Sequence, residues 1–159
     1  MTERPSGSHV TRRVLRRTAE NSDRVRLELE IPSDVACIEE VVETVRRECS
    51  AFDFPDRHCS LNVPVALAEA LSNAILRGND ENPEKSVRVR MCVDRRELVL
   101  EVRDEGKGFD MQACMVDPTL PEERQREDGR GLFLMRALMD RVERFDDGGN
   151  VVRLTLRRP

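Results

Sequence analysis

Glu69-Ala70-Leu71-Ser72-Asn73 sets a carboxylate one helical turn before a carboxamide, a pair able to serve a reacting hydroxyl and a metal ion from one helix face. Asp104-Glu105-Gly106-Lys107-Gly108-Phe109-Asp110 follows, then a polar run, then Gly129-Arg130-Gly131-Leu132 at the head of an apolar helical stretch. Glycines at such points let backbone approach a base and its phosphates, and a helix N-terminus favours the negative charge of phosphate. In this order, the segments specify a site for ATP.

Other chemistries fit the residues less well. Neither G-x-G carries the third glycine of a dinucleotide fingerprint, and no G-x-x-x-x-G-K-[ST] loop occurs. The five cysteines, Cys37, Cys49, Cys59, Cys92 and Cys114, never fall in a C-x-x-C spacing, so they read as reduced, structural thiols rather than a zinc site or disulfide framework. His58-Cys59 has no evident orienting group that would make it a base and nucleophile. A net charge of −4, no Trp or Tyr and five Phe speak against a nucleic-acid surface and favour protein and nucleotide partners. No apolar run approaches the roughly 20 residues of a membrane span, and the Arg-rich start has no signal-peptide core, so the expected location is cytoplasmic, without a membrane partner.

The elements that must position these residues follow from periodicity. Val25, Leu27, Leu29 and Ile31 alternate with charges, as in a strand covered on one face, and Pro32 stops it. Ser33 or Asp34 then caps a helix whose stripe is Val35, Ile38, Val42, Val45, Cys49 and Phe52. A second helix starts around Asn62 to Pro64 and ends at Gly78 as its C′ residue, with Glu69, Asn73 and Arg77 on one polar stripe. Val87 to Val93 and Leu98 to Val102 form a hairpin that runs into the Asp104 turn. Ala113 to Asp128, with two prolines and no period, reads as a lid. A helix over Gly131 to Asp140 and a hairpin of Arg141 to Phe145 with Val151 to Leu156 complete the chain. The expected fold is α+β: a two-layer sandwich with a mixed, largely antiparallel sheet and helices on one face. Residues 1–23 are expected to be a flexible N-terminal extension, its arginine pairs solvated, and 24–159 a single domain.

The four segments together resemble the N, G1 and G2 boxes of the GHKL ATPase superfamily, whose members share the Bergerat fold. Within it the chain is similar to the small anti-sigma-factor serine kinases of the SpoIIAB and RsbW type. Gly106-Lys107-Gly108-Phe109-Asp110 and Gly129-Arg130-Gly131-Leu132-Phe133-Leu134-Met135 carry that likeness. The length leaves no room for the transducer domains of gyrase-like, MutL-like or Hsp90-like relatives, and His9 and His58 do not sit in a phospho-accepting helical hairpin.

The resemblance implies roles. Glu69 is the general base, Asn73 the Mg²⁺ ligand, and Asp104 the acceptor for the adenine amino group, a contact that guanine's oxo group would turn into a clash. Gly106 and Gly108 make the turn beneath the base, with Phe109 beside it; Gly129 and Gly131 present backbone to the phosphates, with Arg130 and Leu132. Lys107, Arg124 and Arg126 are further charges near the lid. Arg77 stands where relatives often have His; it still faces phosphate but cannot act as a switchable acid or base near neutral pH. The implied partners are a sigma factor and a STAS-type anti-anti-sigma protein phosphorylated on serine, and the implied assembly a homodimer. The alternative is a catalytically silent module in which ATP shapes a docking surface.

Overall fold

A computed structural model describes residues 13–19, 23–106 and 130–159. Among the described residues six strands form one sheet: β1 (Arg13–Ala19), β2 (Arg24–Pro32), β3 (Ser86–Asp94), β4 (Glu97–Asp104), β5 (Arg141–Asp146) and β6 (Asn150–Arg157). Their order is β1-β2-β3-β4-β6-β5, and every neighbouring pair is antiparallel, so no parallel pairing occurs among the described residues. The expected α+β sandwich is present, its sheet antiparallel rather than mixed. β1 lies inside the segment expected to be a flexible extension: residues 13–19 instead form an edge strand, with Arg13 opposite Glu30 and Ala19 opposite Val25.

Period-two alternation sorts the strands into two faces. Leu27, Leu29, Val89, Met91, Leu100, Val102 and Leu154 are buried beneath the helices. The other face carries a row whose sign alternates by register from β2 to β5: Glu28, Arg90, Glu101, Arg153 and Glu143. Arg90 pairs with Glu28 at 3.2 Å and Arg153 with Glu101 at 2.9 Å, and the Arg153 guanidinium lies 4.6 Å from the centre of the Phe145 ring. These half-exposed pairs contribute about 0–1 kcal/mol each, so they set register more than stability. A shallow cavity of about 250 Å³ on this face is lined by Arg26, Glu28, Cys92, Val99 and Glu101.

Among the described residues three α-helices pack on the apolar face: α1 (Ile38–Ala51), α2 (Val63–Asn73) and α3 (Arg130–Leu138). Asp34 caps as expected, accepting from the Ala36 N–H at 2.9 Å, but what it caps is a 3₁₀ turn, Val35–Cys37. That tighter turn rotates the stripe, so Cys37, Val41, Val45 and Cys49 are buried, Ile38, Val42 and Phe52 flank them, and Val35 is 50% exposed.

The second helix departs further from expectation. It runs unbroken from His58 to Gly78, 21 residues, with π turns at His58–Asn62 and Ala74–Gly78 around α2. By length and composition alone it could cross a membrane; here its apolar residues Leu67, Leu71 and Ile75 are buried in the core. Asn62 is therefore no N-cap: its side chain donates to the Leu138 carbonyl at 2.7 Å, tying α2 to the end of α3. The π turn, closed by the Val63 N–H on the His58 carbonyl, brings the helix to Pro64, which has no N–H to continue the ladder.

Candidate nucleotide site

Asp104 ends β4 at the seam between sheet and helices, 2% exposed, with its carboxylate held from both sides. Gly106 N–H donates to Oδ1 at 2.8 Å and Asn150 Nδ2 donates to Oδ2 at 3.0 Å, while Asn150 Oδ1 accepts from Arg144 Nε at 2.6 Å. Burial pushes the Asp104 pKa up, and Asn150, Gly106, Arg144 and Lys85 oppose the rise. An acceptor fixed this way is aimed before any ligand arrives.

The end of the long helix closes on the same corner. A Cβ at Gly78 would overlap the Asp104 carboxylate, and one at Gly106 would overlap the Gly78 carbonyl. The helix ends at Gly78 as expected, but the glycine serves close approach rather than a left-handed turn: the positive-φ glycines among the described residues are Gly148 and Gly149. Asn79 follows and is fully buried; its Nδ2 donates to Ser33 Oγ and to the Ser86 carbonyl, both at 2.9 Å, and its Oδ1 accepts from the Glu105 N–H at 2.8 Å. One side chain joins the helix end, the start of β3 and the turn after β4.

The polar stripe of α2 meets the first turn of α3. A Cβ at Gly131 would lie 2.8 Å from Glu69 Oε2 and 3.4 Å from Asn73 Nδ2, so the carboxylate, the amide and the second glycine segment converge at one point. Glu69, Asn73 and Arg77 are half-buried, and Arg130 heads α3 with Leu132 buried behind it. Any bulk at Gly131 presses on the carboxylate–amide pair, the reason for glycine there. Lys107, Gly108, Phe109, the Ala113–Asp128 lid with Arg124 and Arg126, and Gly129 lie outside the described residues.

Three residues of this corner escaped the sequence reading: Gly78 in its packing role, Asn79 and Asn150. Asn150 stands in the hairpin turn between the last two strands, where Asn is common beside glycine. Each asparagine has one partner 46 residues distant, Ser33 for Asn79 and Asp104 for Asn150, and no local pattern announces those contacts. His58-Cys59 is not a base–nucleophile unit: the His58 ring packs near Phe54, and Cys59 Sγ faces Cys49.

An antiparallel sheet, helices on one face, and a seam of carboxylate, amide and close-packed glycines define the class: an α+β sandwich with its site between the layers. The chain belongs to the histidine kinase-like ATPase domain family, whose model matches residues 31–156. It is 34% identical over 99 residues to the serine-protein kinase RsbW of Halalkalibacterium halodurans, covering 59% of this chain and 60% of that protein. It is 34% identical over 101 residues to the RsbW of Bacillus subtilis, covering 59% and 62%. With the anti-sigma F factor of Clostridium acetobutylicum it shares 29% over 98 residues, covering 61% and 68%. The chain spans about three fifths of the length of the RsbW proteins it matches.

Proposed function

We propose that this protein is an ATP-dependent serine/threonine kinase that binds a sigma factor and phosphorylates a STAS-type anti-anti-sigma protein. The observation that carries the reading is the convergence of Glu69 and Asn73 on Gly131 at the head of α3. Phosphates seated on that helix N-terminus lie beside a carboxylate able to accept the proton of an attacking serine hydroxyl. Names of relatives support the sigma-factor part of this reading: the chain is similar to proteins called serine-protein kinase RsbW and anti-sigma F factor. A cytoplasmic location, a homodimer and one domain, over 24–159 with β1 added at its sheet edge, belong to the same proposal.

Each group has one task. Asp104 accepts the adenine 6-amino hydrogen bond, with Gly78 and Gly106 bringing backbone under the base. Asn73 fits a Mg²⁺ role, because its carboxamide sits within reach of the place where phosphates meet α3 and Mg²⁺ takes oxygen donors. The ion, when bound, neutralises phosphate charge. Arg77 and Arg130 add positive charge along the α2 stripe and the first turn of α3. Gly108, Phe109, Gly129 and Leu132 are assigned to the nucleotide by the same reading.

The test is transfer of label from γ-labelled ATP to a co-expressed antagonist. Nucleotide-dependent complex formation without label overturns the kinase reading in favour of the silent module. Asn73→Ala should lower both Mg²⁺-dependent ATP affinity and rate, as expected of a metal ligand; calorimetry with and without Mg²⁺ checks this, and equal losses in both conditions exclude that role.

Asp104→Asn should weaken ATP binding by about 1 to 3 kcal/mol with the fold retained, because the bond to the base loses its charge-assisted character. GTP should bind the parent protein far more weakly than ATP, and equal affinities contradict the adenine role. The pH dependence has a definite sign. Since burial raises the Asp104 pKa, the folded protein takes up a proton there before the unfolded chain does, and this group's contribution to stability falls as pH rises through the folded value. ATP needs the carboxylate, so its affinity moves the opposite way, weakening as pH falls from neutrality toward that raised value. Titration calorimetry across this window should show the trend in the parent and not in Asp104→Asn.

A further inference from the structure

We propose that Cys49 and Cys59 are an oxidation site, a dithiol that closes reversibly to an intramolecular disulfide when a hydroperoxide supplies the oxidising equivalents. The last turn of α1 carries Cys49 and the π turn before α2 carries Cys59, and their sulfurs lie 2.9 Å apart. Helix packing, not chain proximity, brings them together: nine residues separate them, including the exit from α1 and the Phe54-Pro55 link. Among the described cysteines, Cys37 is buried and Cys92 lies on the open sheet face.

Their environments differ enough to order the steps. Cys49 has no exposure and Cys59 5%, so Cys59 is the thiol an oxidant reaches first. Burial, then the contact with Cys59, pushes the Cys49 pKa up, which keeps Cys49 a thiol and leaves it the slower of the two to meet an oxidant. In the first step the Cys59 thiolate attacks the peroxide oxygen, the O–O bond breaks, and sulfenic acid and hydroxide form. In the second, Cys49 sulfur attacks the sulfenic sulfur, the S–O bond breaks, and the Cys49 proton leaves with the oxygen as water. Two thiols and one hydrogen peroxide give one disulfide and two waters, with two electrons passing from sulfur to oxygen.

The bond needs the sulfurs to close from 2.9 Å to about 2.05 Å, a small side-chain torsional change at a corner held by packing. The disulfide joins α1 to the helix carrying Glu69 and Asn73 at the end remote from them: Cys59 precedes Glu69 by ten residues, about 15 Å along the helix axis. Its effect is to restrict the unfolded chain, as a cross-link closing a short loop does.

Hydrogen peroxide added to the folded, full-length protein should give a mass loss of two hydrogens, with three of the five cysteines still open to alkylation after unfolding. Peptide mapping should join Cys49 to Cys59. The thermal midpoint should rise by roughly 5 to 10 °C and return when dithiothreitol is added. Cys59→Ser should retain the fold, lose no hydrogens and show no peroxide-dependent rise. The proposal is overturned if mapping of the wild-type protein joins a different pair, or if Cys49 and Cys59 both remain alkylatable after peroxide has oxidised other thiols. It does not depend on kinase activity, and neither outcome bears on that reading.

Discussion

Glu69→Gln should leave ATP affinity at the parent value and slow phosphoryl transfer by about 10² to 10⁴ fold. Glutamine keeps the length, the planar head and one hydrogen-bond acceptor, so it fits the same space beside Gly131; what disappears is the capacity to take a proton. In the proposed site, nucleotide affinity draws on the Asp104 corner at the other end of the stripe, which this substitution does not touch. Single-turnover transfer to an antagonist, measured beside calorimetric ATP affinity, separates the two. A Glu69→Gln protein that transfers at the parent rate refutes the base assignment; one that loses ATP binding shows that the carboxylate serves the ligand rather than the chemistry. The silent module makes a different forecast, since neither protein would transfer label.

How much of this arrangement the residues disclose depends on the range of the forces involved. β2, β3, β4 and the final hairpin were legible because alternation is local: Val25, Leu27, Leu29 and Ile31 announce their shared face within eight residues. The Glu69–Asn73 stripe was legible for the same reason, one turn being enough to align them. Failures came where a local rule met a distant contact. Asn62 followed by Pro64 is a good start signal, yet the helix begins earlier, because a π turn admits the proline and Leu138 takes the Asn62 amide. Gly78 fits the expected place of a helix stop, but its missing Cβ answers to Asp104, 26 residues on. β1 was missed because Arg13 to Ala19 has no clean alternation, and its pairing rests on β2 opposite.

The Asp104 corner also shows why an exposed-looking motif can define a buried site. A carboxylate in a low-dielectric seam costs free energy unless donors face it, and the chain supplies two from different elements: the Gly106 N–H one turn ahead and Asn150 from β6. Arg144 then braces Asn150 from β5, so three strands and a turn cooperate to hold one acceptor. This cost is reasonable only where the acceptor is used, which is the physical ground for placing the base there rather than in the 250 Å³ cavity on the open sheet face, whose lining holds salt-bridged charges but no glycine turn or helix end.

The same corner yields the second large effect. Gly78→Ala should lower ATP affinity by about 10² to 10³ fold, more than Asp104→Asn, although alanine adds only a methyl group and Gly78 has no positive φ to strain. The methyl would overlap the Asp104 carboxylate, approaching Oδ1 to 2.8 Å and Oδ2 more closely. That carboxylate cannot swing aside cheaply, since Asn150 and Gly106 hold it, so either it leaves both donors or the helix end retreats with Asn79 and the three contacts Asn79 makes. Overpacking of this kind costs about 1 to 3 kcal/mol, and loss of the aimed acceptor costs a similar amount in binding. A double-mutant cycle decides whether the effect runs through the carboxylate. In an Asp104→Ala background the overlap is gone, so adding Gly78→Ala should change neither ATP affinity nor thermal midpoint appreciably beyond Asp104→Ala alone. If Gly78→Ala costs as much there as in the parent protein, the glycine serves the helix end itself, and the close approach of helix to carboxylate is not what shapes the adenine site.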